Sequence, residues 1–176
     1  HSFPTRRSSD LISKDELFCN LVDADGYYFT HFLQDKAKTA YGGAELKYGY
    51  KDWFDASLKG TFYSWKTDNE NEELYLMTKP KFELNFYAEA KVFEGLKVYL
   101  GYEYVQRKEY VIEEGNSSRD FGLGNISNLS VGASYTFLKD LSVFGRVNNL
   151  LNKQYYYEYG YPAEKLNVLA GLSLVF

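Results

Sequence analysis

Alternation with a period of two constrains this chain more than any other property of its sequence. From Leu166 to Phe176 the run LNVLAGLSLVF puts an apolar side chain at every even position, with Asn167, Gly171 and Ser173 between them. Successive side chains of a strand point to opposite faces, so such a run has one apolar face and one small or polar face. The pattern recurs. Phe82, Leu84, Phe86, Ala88, Ala90 and Val92 alternate with Lys81, Glu83, Asn85, Tyr87, Glu89 and Lys91. Leu96 to Tyr104, Leu129 to Phe137, Leu141 to Asn148 and Phe54 to Phe62 repeat it, with weaker versions at Ala44 to Tyr50 and Tyr27 to Gln34 and a short candidate at Leu17 to Val22. Helical periodicity is hard to find, so the expectation is an all-β chain of about eight or nine strands.

The links between these runs alternate as well. Short ones fall at Lys51 to Trp53, Phe93 to Gly95 and Lys139 to Asp140, and longer polar ones at Asp35 to Gly42, Asp68 to Lys79, Glu109 to Asn125 and Lys153 to Glu164. Strands of roughly 9 to 11 residues with an apolar outer face, joined by short turns on one side and long loops on the other, form the pattern of a transmembrane β-barrel. The sequence therefore predicts an antiparallel up-and-down transmembrane barrel segment. The 18 Tyr, 13 Phe and only 3 Pro agree, since aromatics favour strands and populate the interfacial girdles of barrels. No stretch reaches the ~18 to 20 apolar residues of a membrane helix.

The net charge of −4 and the lack of a basic patch argue against nucleic acid as a partner. The first residues offer no apolar core of the kind an export signal needs, which suggests an incomplete chain. His1 to Leu11, HSFPTRRSSDL, has no strand or helix period and resembles a translated sequencing adapter. Residues 1–11 are therefore expected to be a non-native tail, with 12–176 as the barrel part, and His1 is not proposed as a ligand.

A family resemblance becomes specific toward the end. VNNLLNKQYYYEYGYP, from Val147 to Pro162, followed by KLNVLAGLSLVF, resembles the final hairpin of a TonB-dependent outer-membrane receptor of a Bacteroidetes-like kind. The positions that carry the likeness are Asn149, Leu150, Leu151, Asn152, Tyr155, Tyr156, Gly171 and Phe176. Upstream, Gly43 to Trp65 is similar to the family's Gly-x-Glu strand, turn and following strand. The resemblance implies a 22-stranded barrel in the bacterial outer membrane, filled by an N-terminal plug. It also implies import of a siderophore, cobalamin or glycan, driven by the TonB complex through an N-terminal box. Neither plug nor box is recognisable here, so the missing plug and strands of the same protein become expected partners, with outer-membrane lipid and the barrel-assembly machinery. Gly171, Leu172, Leu174 and Phe176 match the terminal pattern that this machinery reads. A complete small barrel of eight strands with a structural or adhesion role is the alternative.

Among the polar residues, Tyr155, Tyr156, Tyr157, Tyr159 and Tyr161 suit stacking on a ligand in the last outer loop, or an interfacial girdle. Asp68, Glu70, Glu72 and Glu73, with Glu113 and Glu114, suit a solvated loop or a divalent ion, but no calcium-loop spacing is present. No metal site, cofactor or catalytic residue is expected. Asp23, Asp25 and Gly26 read as a turn, and the KDEL at Lys14 to Leu17 is internal. Gly122 and Gly124 lack a nucleotide-binding context. The sequons at Asn116, Asn125 and Asn128 carry little meaning in a bacterial outer membrane. Cys19 reads as a small apolar strand residue, and His31 has no nucleophile or acid arranged with it. An outer-membrane enzyme would need such a pair, and none is visible.

Overall fold

A computed structural model describes residues 5–23, 27–67, 76–108, 111–114, 117–120, 123–138, 141–158 and 161–174, with side chains over 37–67, 76–108, 123–138, 141–157 and 161–174. The strands are β1 (Thr5–Asp23), β2 (Tyr27–Tyr50), β3 (Phe54–Thr67), β4 (Pro80–Phe93), β5 (Leu96–Arg107), β6 (Val111–Glu114), β7 (Ser117–Asp120), β8 (Ile126–Leu138), β9 (Leu141–Asn148), β10 (Tyr156–Glu158), β11 (Tyr161–Pro162) and β12 (Asn167–Leu174). Eight of them form one sheet in the order β1-β2-β3-β4-β5-β8-β9-β12. Each described pairing in that sheet is antiparallel and joins neighbours in the meander. The fold is all-β and up-and-down, the architecture of a barrel segment. Among the described residues β1 and β12 do not pair, so the sheet is open and the closed eight-stranded alternative is not formed. No helix among the described residues is long and apolar enough to cross a membrane, which says nothing about crossing by strands.

Register converts the sequence alternation into two continuous faces. One row of direct partners runs Phe54, Ala90, Val98, Ala133, Gly145, Ala170, and the next runs Ala56, Ala88, Leu100, Val131, Val147, Val168. On the opposite face, Lys59 stands beside Asn85, Asn85 beside Glu103 and Glu103 beside Asn128. The partition holds from β2 to β12. It leaves Leu46, Phe62, Val168, Leu172 and Leu174 largely exposed on the apolar face. That face spans seven strands, far more than a monomer in water leaves uncovered.

Three expectations change. Asp35 to Gly42 is not a loop: Ala37 to Gly42 pair with Phe62 to Thr67, so the two weak strands on either side merge into the single β2 of 24 residues. The cause is partnership, because β3 runs on to Thr67 and supplies a hydrogen-bonding edge for polar residues with little alternation of their own. The order of links changes with it. The 24–26 connection now lies at the same end as the 68–79, 108–125 and 149–166 links, so that end carries one short turn among the long ones. The long 108–125 link also contains the β6–β7 hairpin. At its start, β1 pairs with β2 from Thr5, so Thr5 to Leu11 lie in a strand where no strand period was read.

The short turns are tight. Gly95 has φ 84°, a left-handed value that glycine adopts freely, and a Cβ there would lie 2.4 Å from the Thr136 carbonyl oxygen. Thr136 N–H donates to the Gly95 carbonyl at 2.9 Å, tying this turn to β8.

Candidate functional site

Aromatic rings border the apolar face at both ends. Toward the short turns, Tyr48 and Phe54 lie 6.2 Å apart between centroids, Tyr50 and Trp53 5.7 Å, and Phe93 and Tyr135 6.0 Å. Toward the long links, Phe62 packs on Phe82 at 4.5 Å and Phe82 neighbours Tyr104 at 6.4 Å. Between these rows the face is aliphatic or small apart from Phe86 and Tyr102, which stand side by side in the row Leu58, Phe86, Tyr102, Leu129.

The polar face carries the charges. Lys97 pairs with Glu89 at 3.0 Å, and Tyr87 donates to Glu89 at 3.0 Å. Tyr63 donates to Glu83 at 2.8 Å. A hollow of about 380 Å³ lies on this face between Glu45, Lys59, Asn85, Glu103, Asn128 and Arg146.

At the long-link end the chain folds back over this face. Asn149 is 1% exposed and φ 49° places it in the left-handed region, where Asn is tolerated better than most residues. Its Nδ2 donates to the carbonyls of Lys153 at 2.8 Å and Glu164 at 3.1 Å, and its Oδ1 accepts from Lys153 N–H at 3.1 Å. Its backbone N–H donates to Asn128 Oδ1 at 3.0 Å. Asn152, also at φ 49°, donates its N–H to the Asn149 carbonyl at 2.8 Å and accepts from Leu166 N–H at 3.3 Å. Leu150 N–H reaches the Leu129 carbonyl at 2.8 Å. The Asn-Leu-Leu-Asn motif thus joins β8, the end of β9 and both limbs of the last link, while the side chains of Leu150 and Leu151 stay exposed.

The tyrosines behind that motif are not one surface. Tyr155 is 4% exposed and packs with Val105, Ile126 and Ala163, away from solvent. Burial, followed by its hydrogen bond with Tyr157, pushes its phenol well above the ordinary tyrosine range. Tyr157 meets Tyr155 edge-on at 5.5 Å and, like Tyr161, is exposed. Tyr156 pairs with Pro162 in the small β10–β11 hairpin, and its carbonyl accepts from the buried guanidinium of Arg107. Tyr159 and Phe176 lie outside the described residues, as do Asp68, Glu70, Glu72 and Glu73. Glu113 and Glu114 are described in backbone only, and among the described residues no group of His, Cys, Asp and Glu is placed to hold a metal ion.

Leu172 and Leu174 project from the apolar face of β12 and Gly171 from the other, directly opposite Phe144. A Cβ on Gly171 would lie 2.6 Å from the tip of the Phe144 ring, so this glycine is the seat of an aromatic side chain. Neither the Arg107 contact nor that seat was legible beforehand, because each depends on which residue stands opposite.

No protein-family model matches the chain, and no curated relative does. Solved structures do. The chain is similar to Pseudomonas aeruginosa FpvA carrying iron and a heterologous pyoverdine, at 16% identity and TM-score 0.66, over 94% of this chain and 24% of that one. The FpvAI–pyocin S2 complex gives the same values. A mutant of the ferric enterobactin receptor PfeA of the same organism matches at 16% identity and TM-score 0.65, over 96% of this chain and 28% of that one. At such identity the likeness is one of fold. The chain spans about a quarter of the length of the structures it matches.

Proposed function

We propose that this chain is part of the barrel wall of a TonB-dependent receptor in a bacterial outer membrane, acting in uptake of a scarce solute of the siderophore, cobalamin or glycan class and not as an enzyme. The observation that carries the reading is the partition of seven adjacent strands into one apolar and one charged face, on a fold shared with solved receptors. Phe54 and Phe62, on opposite aromatic rows, are eight residues apart. At ~3.4 Å per residue and a tilt of about 40°, that is roughly 21 Å along the membrane normal, close to the apolar band of known barrels.

In this reading the apolar face meets outer-membrane lipid, and the polar face meets the plug of the same protein. The edges of β1 and β12 are completed by its remaining strands, because unpaired backbone groups cost several kcal/mol each in hydrocarbon. Leu172, Leu174 and Phe176 are read by the barrel-assembly machinery, and Tyr157 and Tyr161 lie at the outer mouth. The test is the reading frame upstream of this chain, followed by solute-dependent growth of cells that express the whole protein. A plug, a TonB box and growth that fails without TonB are expected. A signal peptide directly before Leu17, or growth indifferent to TonB, contradicts the proposal.

A further inference from the structure

The last link does more than join β9 to β12. Those two strands are neighbours, and β8 and β5 lie beyond β9 in the order β5-β8-β9-β12. A connection between neighbours needs neither, yet the described parts of this link, 149–158 and 161–166, touch both. Its base is fastened to β8, where Asn128 Oδ1 accepts the Asn149 N–H at 3.0 Å and the Leu129 carbonyl accepts the Leu150 N–H at 2.8 Å. Asn149 then holds the two limbs together through the carbonyls of Lys153 and Glu164. The far end is fastened to β5. Tyr155 of the first limb and Ala163 of the second are joined by a hydrogen bond of 2.8 Å from the Ala163 N–H to the Tyr155 carbonyl, and both pack in the cluster with Val105 and Ile126. Two residues on from Val105, the Arg107 guanidinium donates to the Tyr156 carbonyl, and the Arg107 backbone N–H donates to Asn125 Oδ1 at 2.9 Å. Glu103, Val105 and Arg107 share the polar face at two-residue steps, so the link crosses the inner side of the wall.

A lid opens at little cost because its buried apolar contacts are few and its hydrogen bonds are exposed. This link has the opposite properties at both fastenings, with Arg107 9% exposed, Tyr155 4% and Asn149 1%. Swinging the far end away from β5 exposes the Tyr155 ring and takes a carbonyl acceptor from a buried guanidinium. Lifting the whole link also strips the Asn149 amide of its three bonds. We propose that the last outer link is a fixed strap across the inner face of the wall, pinned at its far end by Arg107 as a positioning residue. It is not a lid, and what enters at this end passes beside it. That this end is an outer mouth rests on the receptor reading above; that the strap is fixed does not.

The test is amide hydrogen exchange of the complete protein in detergent micelles, resolved to single residues by electron-transfer fragmentation. The Lys153 N–H, bonded to Asn149 Oδ1, reports the base, and the Ala163 N–H reports the far end. A lid whose open form is a minor state of about 0.1 to 10% limits protection to roughly 10- to 1,000-fold. A fixed strap is expected to exceed about 1,000-fold at both amides. R107Q is expected to lower protection at Ala163 by about tenfold or more, since a hydrogen bond from a charged group is worth at least roughly that factor, and to leave Lys153 unchanged. Should that variant fail to fold, the wild-type values decide. Protection below about 1,000-fold at Ala163 in the wild type, or unchanged exchange there in R107Q, overturns the proposal. Growth indifferent to TonB would overturn the receptor reading and leave the exchange result standing.

Discussion

The two ends of the outer rim solve opposite problems. Under the last link, Asn149 is buried with both Nδ2 protons and its Oδ1 engaged, and Tyr155 closes the apolar cluster beside it. Between β3 and β5, Lys79, Lys81 and Lys108 line an open hollow of about 380 Å³ with Tyr63 and Trp65. In the first region the Asn149 amide is fully engaged within the fold, while the buried Arg107 Nε and Asn148 Oδ1 beside it find no partner among the described residues. The second is open, its side chains reaching out from three distant segments, and Lys79 stands over the Trp65 ring. The difference is one of packing: the conspicuous motif ties segments of the wall together through buried hydrogen bonds, and the residues without a motif line an open space.

The sharpest way to break this contrast is Asn149→Val. It removes three side-chain hydrogen bonds at about 1 kcal/mol each and forces a β-branched residue into a left-handed conformation. The expected loss is about 4 kcal/mol, read as a lower urea midpoint for the refolded protein in micelles. Next, Tyr155→Ala empties the space between Val105, Ile126 and Ala163 and is expected to cost about 3 kcal/mol by the same measurement. If Asn149 were a ligand contact, its replacement would weaken binding and spare stability.

A substitution on the exposed side chains predicts the reverse: Lys81→Gln should change the unfolding free energy by no more than about 0.5 kcal/mol in the same titration, because that side chain is exposed. A marked loss of stability would make it part of the scaffold. The smallest effect is one of pH. Tyr155 is held protonated above its ordinary range, so its contribution is complete below the unfolded pKa of about 10 and is lost as pH rises through the higher folded value. The unfolding midpoint should stay level to about pH 10 and then fall, and Tyr155→Phe should remove that part of the fall.

The alternation made the sheet legible, since β4, β5, β8, β9 and β12 show period two within their own residues. The stretch from Ala37 to Gly42 does not, because its extended form comes from the edge that β3 presents across fourteen partner positions. Long-range pairing of this kind has no local signature. The Asn-Leu-Leu-Asn run was visible as a motif, but its role was not, because the carbonyls it binds belong to Lys153 and Glu164 in two limbs of one link. The five tyrosines looked alike in sequence and separate by burial, with Tyr155 inside and Tyr157 and Tyr161 outside. The lysine hollow left no trace because its members come from three distant segments.

The two-faced wall is tested most directly by spin labels placed singly along β9 and β12 of the whole protein in bilayers, at 142, 143, 146, 147, 167, 168, 172 and 173. The account predicts that labels at 143, 147, 168 and 172 are relaxed by oxygen dissolved in lipid, and labels at 142, 146, 167 and 173 by a water-soluble nickel chelate. Loss of the two-residue alternation, or the same alternation with the faces exchanged, would contradict it.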